Sequence, residues 1–191
     1  IYRKQMSSNH PSKIVISGGP GRGKTTLIEL LKEKGHQCWD EVYRELIFED
    51  PQENLRNSFR SQPLEFSEVL WKFRDLQYFD ADKTIYKPAE PYVFFDRGQH
   101  DVVAYLKYLG VDYDREIFDL SKYSYGFAVL LPPWKEIYVK DEFRREDFEE
   151  ASVIYTQIKK TYAAFNVPTI ELPLVSPKDR VSTLLKYLKD G

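Results

Sequence analysis

Gly18-Gly19-Pro20-Gly21-Arg22-Gly23-Lys24-Thr25 matches G-x-x-x-x-G-K-[ST] in full. Each residue type in it answers a need of a polyphosphate. Glycines let backbone N–H groups turn inward around an anion. Lys24 brings a mobile positive charge to the terminal phosphates. The Thr25 hydroxyl is a ligand for Mg²⁺, a cation that keeps several waters and takes few protein ligands. A helix opening at about Gly23 points its positive end at the same anion. The plain alternative is a glycine-rich turn that merely joins a strand to a helix. By background frequency a chance match arises in on the order of one in a hundred chains of this length. Here the match also follows a strand-like run and opens a helical one, the context the motif requires.

Two further chemical groups lie at the ends of other hydrophobic runs. Tyr92-Val93-Phe94-Phe95 ends in Asp96, an acid placed to hold Mg²⁺ directly or through water, or else to cap the next helix. Arg97 follows it, suited to grip a phosphate or to orient a carboxylate. Asp40-Glu41 ends another run, where Glu41 would lie near the phosphate loop and accept a proton from a hydroxyl; an ordinary solvated acid is the alternative. Arg144 and Arg145 stand in the mixed-charge segment Ile137–Glu150, which reads either as a solvated face or as a lid carrying arginine fingers. His10, His36 and His100 show no metal-ligand spacing.

The elements that must carry these groups alternate along the chain. Lys13–Ser17, Gln37–Glu41, Tyr92–Phe95, Phe127–Leu131 and Thr169–Leu172 read as strands. Lys24–Lys34, Phe66–Lys87, His100–Leu109 and Phe148–Phe165 have helical apolar spacing, and Ser176-Pro177-Lys178-Asp179 starts a last helix with a serine cap. Strands alternating with helices imply a parallel sheet covered on both faces. Ligands of such sheets bind at the carboxyl ends of the strands, where the groups above fall.

Composition bounds the partners. The 191 residues carry 28 Lys and Arg against 30 Asp and Glu, a formal charge of −2. That balance argues against a nucleic-acid partner bound through a basic surface. The longest apolar runs, Val102–Leu106 and Phe127–Leu131, are too short to span a bilayer, so no membrane partner is expected. Residues 1–12 are expected to be a tail and have no secretory pattern. Cys38 is the only cysteine, which fits a cytoplasmic setting. Aromatic residues reach 15%. Phe48, Phe59, Phe66, Trp71, Phe73, Tyr78 and Phe79 cluster between the second and third strands, where they either pack the core or stack on a flat acceptor.

Four blocks together carry a resemblance: Gly18–Leu31, Glu41 with Arg44-Glu45-Leu46-Ile47, Phe94–Leu106, and Leu130–Ala151. From Lys13 onward the chain resembles the AAA-domain predicted ATPase/kinase family of P-loop NTPases, related to the nicotinamide riboside kinase domain of NadR. The resemblance implies a three-layer α/β P-loop fold, with a five-stranded parallel sheet in the order 2-3-1-4-5 and helices on both faces. It implies one kinase-like domain over 13–191, with an acceptor-side insertion at about 44–88 and a lid at about 137–150. It implies ATP and Mg²⁺ as cofactors, and it favours the lid reading of Arg144 and Arg145. Asp96-Arg97-Gly98 is similar to the Asp/Glu-Arg-Ser of deoxynucleoside kinases, in which the carboxylate ending the second strand is the base; Gly98 departs from that pattern.

The expected site therefore has Lys24, Glu41, Asp96, Arg97, Arg144 and Arg145 as catalytic residues. Gly19, Pro20, Gly21, Arg22, Gly23, Lys24, Thr25 and Thr26 line the nucleotide, and Thr25 and Asp96 hold the metal. The expected activity is transfer of the ATP γ-phosphate to a small nucleoside- or nucleotide-like acceptor hydroxyl. The competing reading is a nucleotide-binding regulator or slow ATPase without a small acceptor. A Ras-type guanine-reading motif is absent, which favours ATP. A polynucleotide 5′-kinase is disfavoured by the charge balance.

Overall fold

The computed structural model describes residues 11–19, 23–43, 46, 58, 60–86, 90–137 and 147–190. Ser12–Ser17 forms strand β1, buried from Lys13 onward with no polar–apolar alternation. Such a run belongs to a central strand covered on both faces. Around it lie β2 (Cys38–Trp39), β3 (Tyr92–Asp96), β4 (Phe127–Leu130) and β5 (Thr169–Glu171). The order is β2-β3-β1-β4-β5 and every pairing is parallel. This is the expected 2-3-1-4-5 sheet.

Alternation along the strands sorts their side chains into two cores. Ile14 and Ile16 of β1, Phe94 and Val129 point to one face. There they meet Leu27, Ile28 and Leu31 of helix α1 (Lys24–Glu33) and Val181, Leu184 and Leu188 of α5 (Pro177–Asp190). Val15, Val93, Phe95 and Ala128 point the other way, to α2 (Pro63–Lys83), α3 (Gln99–Tyr108) and α4 (Phe148–Ala164). These helices complete the three layers. No helix among the described residues is long and apolar enough to cross a membrane.

The aromatic excess has its main use in the second core. Trp71 meets Phe118 and Tyr123 edge-on at 5.1 and 5.3 Å, and Tyr78 meets Tyr123 and Tyr125 at 5.1 and 5.4 Å. Edge-to-face contacts at these distances are favourable beyond the area they bury. Phe66, Trp71 and Tyr78 are therefore core residues. Phe73 and Phe79 are partly exposed. Phe48 and Phe59 lie outside the described residues.

Two elements differ from expectation by more than one residue. Helix α2 begins at Pro63, whose missing N–H costs nothing in a first turn, and ends at Lys83. Its apolar stripe stops at Ala81, and Ile85 beyond it is 97% exposed. Strand β2 is only Cys38–Trp39, which leaves Glu41 in the loop beyond the strand end.

Candidate functional site

The first part of the site is the crossing from β1 to α1. Gly18 has φ +147°, and a Cβ there would lie 2.7 Å from the Leu131 carbonyl oxygen. The chain passes the end of β4 too closely for any side chain. Gly23 has φ +77° and caps α1 without a side chain, and the first turn of α1 carries no acid. The positive end of the helix therefore meets no acid from its own first turn. Lys24 is buried, and its Nζ donates to the carbonyl oxygens of Gly18 (3.2 Å) and Gly19 (3.0 Å). Burial, and next the charge of Arg97, push its pKa down to about 7. Thr25 and Thr26 follow in the first turn of α1, half-buried and exposed respectively. Pro20, Gly21 and Arg22 lie outside the described residues.

The second part is a pair of carboxylates held in opposite states. Asp96 ends β3 beside Ile16 of β1. It is buried, and among the described residues its Oδ1 has no hydrogen-bond partner. Burial, and next the charge of Glu41, raise its pKa to about 6. Glu41 is also buried deep enough for desolvation to push it up, but Arg74 and Arg97 outweigh that and hold it below the ordinary carboxylate range. Arg74 Nη2 donates to Glu41 Oε1 at 2.7 Å, and Arg97 Nε pairs with Oε2 at 2.5 Å. Paired carboxylates pushed apart in this way are suited to different tasks.

Arg97 has φ +73°, a left-handed conformation that is uncommon for a long side chain and that gathers at functional sites. Its backbone N–H donates to Ile16 O at 3.0 Å, which anchors the turn to β1. Its Nη1 reaches Gly18 O (3.3 Å) and Asp101 Oδ1 (3.2 Å). Gly98 next to it explains the departure from Asp/Glu-Arg-Ser. A Cβ there would come within 3.0 Å of Tyr125 Oη and 3.1 Å of Val15 Cγ2. A serine would press into the aromatic core behind the turn.

Among the described residues no group of three or more His, Cys, Asp or Glu could hold a metal ion unaided. Mg²⁺ binds through one or two protein oxygens plus phosphates and waters. The buried Asp96 carboxylate and the Thr25 hydroxyl in the first turn of α1 are oxygen donors of the kind that set needs when a nucleotide completes it.

The structure thus places Lys24, Glu41, Asp96 and Arg97 together at the carboxyl ends of β1 and β3 and the loop beyond β2. Arg144 and Arg145 lie outside the described residues. Sequence reading did not single out Arg74, Asp101, Ser17 and Tyr162. Arg74 Nη1 donates to Gly98 O at 3.0 Å while Nη2 holds Glu41. Asp101 accepts from Ser17 Oγ (2.6 Å), Gly98 N (3.1 Å) and Tyr162 Oη (2.7 Å). The signal for Arg74 was present: it sits on the apolar stripe of α2, four residues from both Leu70 and Tyr78. Asp101 likewise interrupts the buried face of α3, four residues after Arg97. A charge inside an apolar stripe calls for a partner.

A family model described as an AAA domain matches residues 13–180. Comparison with curated proteins finds no match. Several solved structures are similar. Deoxyadenosine kinase from M. mycoides with bound dATP has a TM-score of 0.68 at 15% identity, covering 93% of this chain and 99% of that one. NadR protein in complex with NR has a TM-score of 0.65 at 18% identity, covering 93% of this chain and 51% of that one. Thymidylate kinase from Candida albicans has a TM-score of 0.62 at 14% identity, covering 95% and 92%. At these identities the likeness is one of fold, that of the P-loop kinases.

Proposed function

The chain belongs to the AAA domain family, and from that premise we propose that it is an ATP-dependent kinase of a small nucleoside- or nucleotide-like acceptor. The observation that carries this is the clamped Glu41. A carboxylate held by two arginines at the mouth of a phosphate loop is wasted in a protein that only binds nucleotide. It is what an acceptor hydroxyl needs beside the γ-phosphate. Similar folds described as deoxyadenosine kinase, thymidylate kinase and a NadR complex with NR support the same substrate class.

The proposed roles are these. The loop from Gly19 to Thr26 holds the ATP phosphates, and Lys24 leaves the Gly18 and Gly19 carbonyls for them. Thr25 and Asp96 would hold Mg²⁺, which when bound neutralises phosphate charge. Glu41 accepts the hydrogen bond of the acceptor hydroxyl and aligns it. Phosphoryl transfer through a loose transition state demands positioning more than a strong base, so a carboxylate of low pKa suffices. Arg97 and Arg74 fix Glu41, and Arg144 and Arg145 close over the γ-phosphate from a lid at about 137–150. The insertion at about 44–88 holds the acceptor, and the protein works in the cytoplasm.

The test is a thermal-shift screen over nucleosides, nucleotides and hydroxylated cofactor precursors with ATP or ADP present, since a true ligand stabilises by mass action. Hits are followed by acceptor-dependent ADP formation. Lys24→Ala and Glu41→Gln should each reduce that rate by roughly 10²-fold or more. If no acceptor in a broad panel stimulates ADP release, and Glu41→Gln leaves a slow unstimulated ATPase unchanged, the kinase reading falls to the regulator or ATPase reading.

A further inference from the structure

Asp101 is fully buried in the first turn of α3, yet it is not merely that helix's cap. A cap needs only the Gly98 N–H, which its Oδ2 accepts at 3.1 Å. The same carboxylate also takes Tyr162 Oη at 2.7 Å on Oδ2, and Ser17 Oγ at 2.6 Å and Arg97 Nη1 at 3.2 Å on Oδ1. These donors come from α4, from the last residue of β1 and from the β3–α3 turn. Burial alone would raise its pKa, but Arg97 and Arg74, with the Ser17 and Tyr162 hydrogen bonds, hold it below the usual carboxylate range. An ionised acid with this many donors is satisfied and directionally locked.

The lock bears on Arg97. Its guanidinium is planar, so fixing two of its nitrogens fixes the third. Nε meets Glu41 Oε2 while Nη1 is shared between Gly18 O and Asp101 Oδ1. Of these three acceptors, Glu41 is held in turn by Arg74 of α2 and Asp101 by Tyr162 of α4. The Tyr162 ring stacks on His100 at 4.7 Å with 13° between the planes, which fixes where its hydroxyl lies. Tyr162 and Asp101 therefore connect α4 to the edge of the phosphate loop through a chain of short, buried hydrogen bonds.

We propose that Asp101 is the positioning residue of this site, holding the Arg97 fork against Glu41 and Ser17 beneath the phosphate loop, with Tyr162 on α4 holding Asp101 in turn. The inference rests on the phosphotransfer reading for its effect on rate, but not for its effect on Arg97. Two measurements separate them. The first is the ¹⁵N-detected Arg97 Nε–H signal, assigned with Arg97→Lys, and its exchange with water in the nucleotide-free protein. Wild type should show slow exchange. Asp101→Asn should speed it at least tenfold, and Tyr162→Phe, which keeps the ring and all charges, should act in the same direction. The second is ADP formation with the best acceptor from the screen. Asp101→Asn should lower kcat on the order of 10²-fold while KM for ATP stays within about threefold. Tyr162→Phe should lower kcat about tenfold. In the Arg97→Lys background, Asp101→Asn should add little further loss, because both act through one group.

An unchanged Arg97 Nε–H signal in folded Asp101→Asn or Tyr162→Phe protein overturns the inference. So do strictly additive losses in the double variant, or a rise in KM for ATP that matches the loss of kcat, which would make Asp101 only a support for the loop. If Asp101→Asn does not fold, Tyr162→Phe decides alone. If no acceptor yields ADP while the Arg97 signal responds as expected, the kinase reading fails and the positioning inference stands.

Discussion

Lys24 and Asp96 are the two residues whose charge state is most exposed to test. Lys24 is pushed down to about 7, chiefly by burial, so above neutral pH its amine is mostly uncharged and donates to two carbonyls. A polyphosphate restores the charged form. ATP binding at pH 8 should therefore take up close to one proton, read by calorimetry in buffers of different ionisation enthalpy; no uptake would refute the burial argument. Asp96 runs the other way. Its pKa rises from 3.8 to about 6, so the folded state holds a proton that the unfolded chain gives up between those values. Burying the ionised form thus costs stability in full above about pH 6; the cost fades as pH falls from about 6 to about 4 and is gone below that. Asp96→Asn should raise the melting temperature at pH 7.5 by roughly 2–4 °C, for about 1 kcal/mol, and lose that advantage at pH 4. The same variant should weaken Mg²⁺-dependent ATP binding. The identities of Lys24, Glu41, Asp96 and Arg97 were legible because each stands at the end of an apolar run or inside a motif. Arg74 and Asp101 were hidden because each looks like a lapse in an amphipathic helix until its partner on another element is seen.

Among the elements, α1 is fixed at both ends by glycine. Gly23 opens it at the phosphate loop. Gly35 closes it with φ +88°, donating to Lys32 O at 2.8 Å while His36 N–H donates to Leu31 O at 3.0 Å. That is a Schellman ending, and no neighbour lies within 4 Å of where a Gly35 Cβ would be. Gly35→Ala should consequently pay only the left-handed backbone penalty, about 1–2 kcal/mol, and leave ATP affinity unchanged. Gly18→Ala should behave differently, because its Cβ would collide with the backbone at Leu131. ATP binding should be lost even where the protein still folds, a contrast that titration calorimetry on the two variants would read. Strand and helix identities were legible from periodicity. Their ends were less so, as β2 and α2 show, because an end is set by where burial stops.

On the scale of the whole molecule, the aromatic residues are a core material more than a binding surface. They fill the space between the sheet and α2–α4, and Tyr162, Tyr125 and His100 extend that core to the rear of the site. Ile158, fully buried in α4, is a fair probe of it. Ile158→Ala should cost about 2–5 kcal/mol, read as a lower urea midpoint at unchanged slope. On the proposed reading a near-neutral surface is no obstacle, since one loop, one lysine and a few placed arginines would supply the charge a phosphate needs. The sequence alone determined the three-layer α/β class, the sheet order through the family resemblance, and the glycine-rich crossing from β1 to α1. These follow from local periodicity and from a motif whose residues are contiguous. The tertiary structure decided what Glu41 is clamped by, why position 98 must be glycine, and how Asp101 reaches four donors. Each of those depends on groups far apart in the chain brought within hydrogen-bond distance, and no local pattern encodes such a distance.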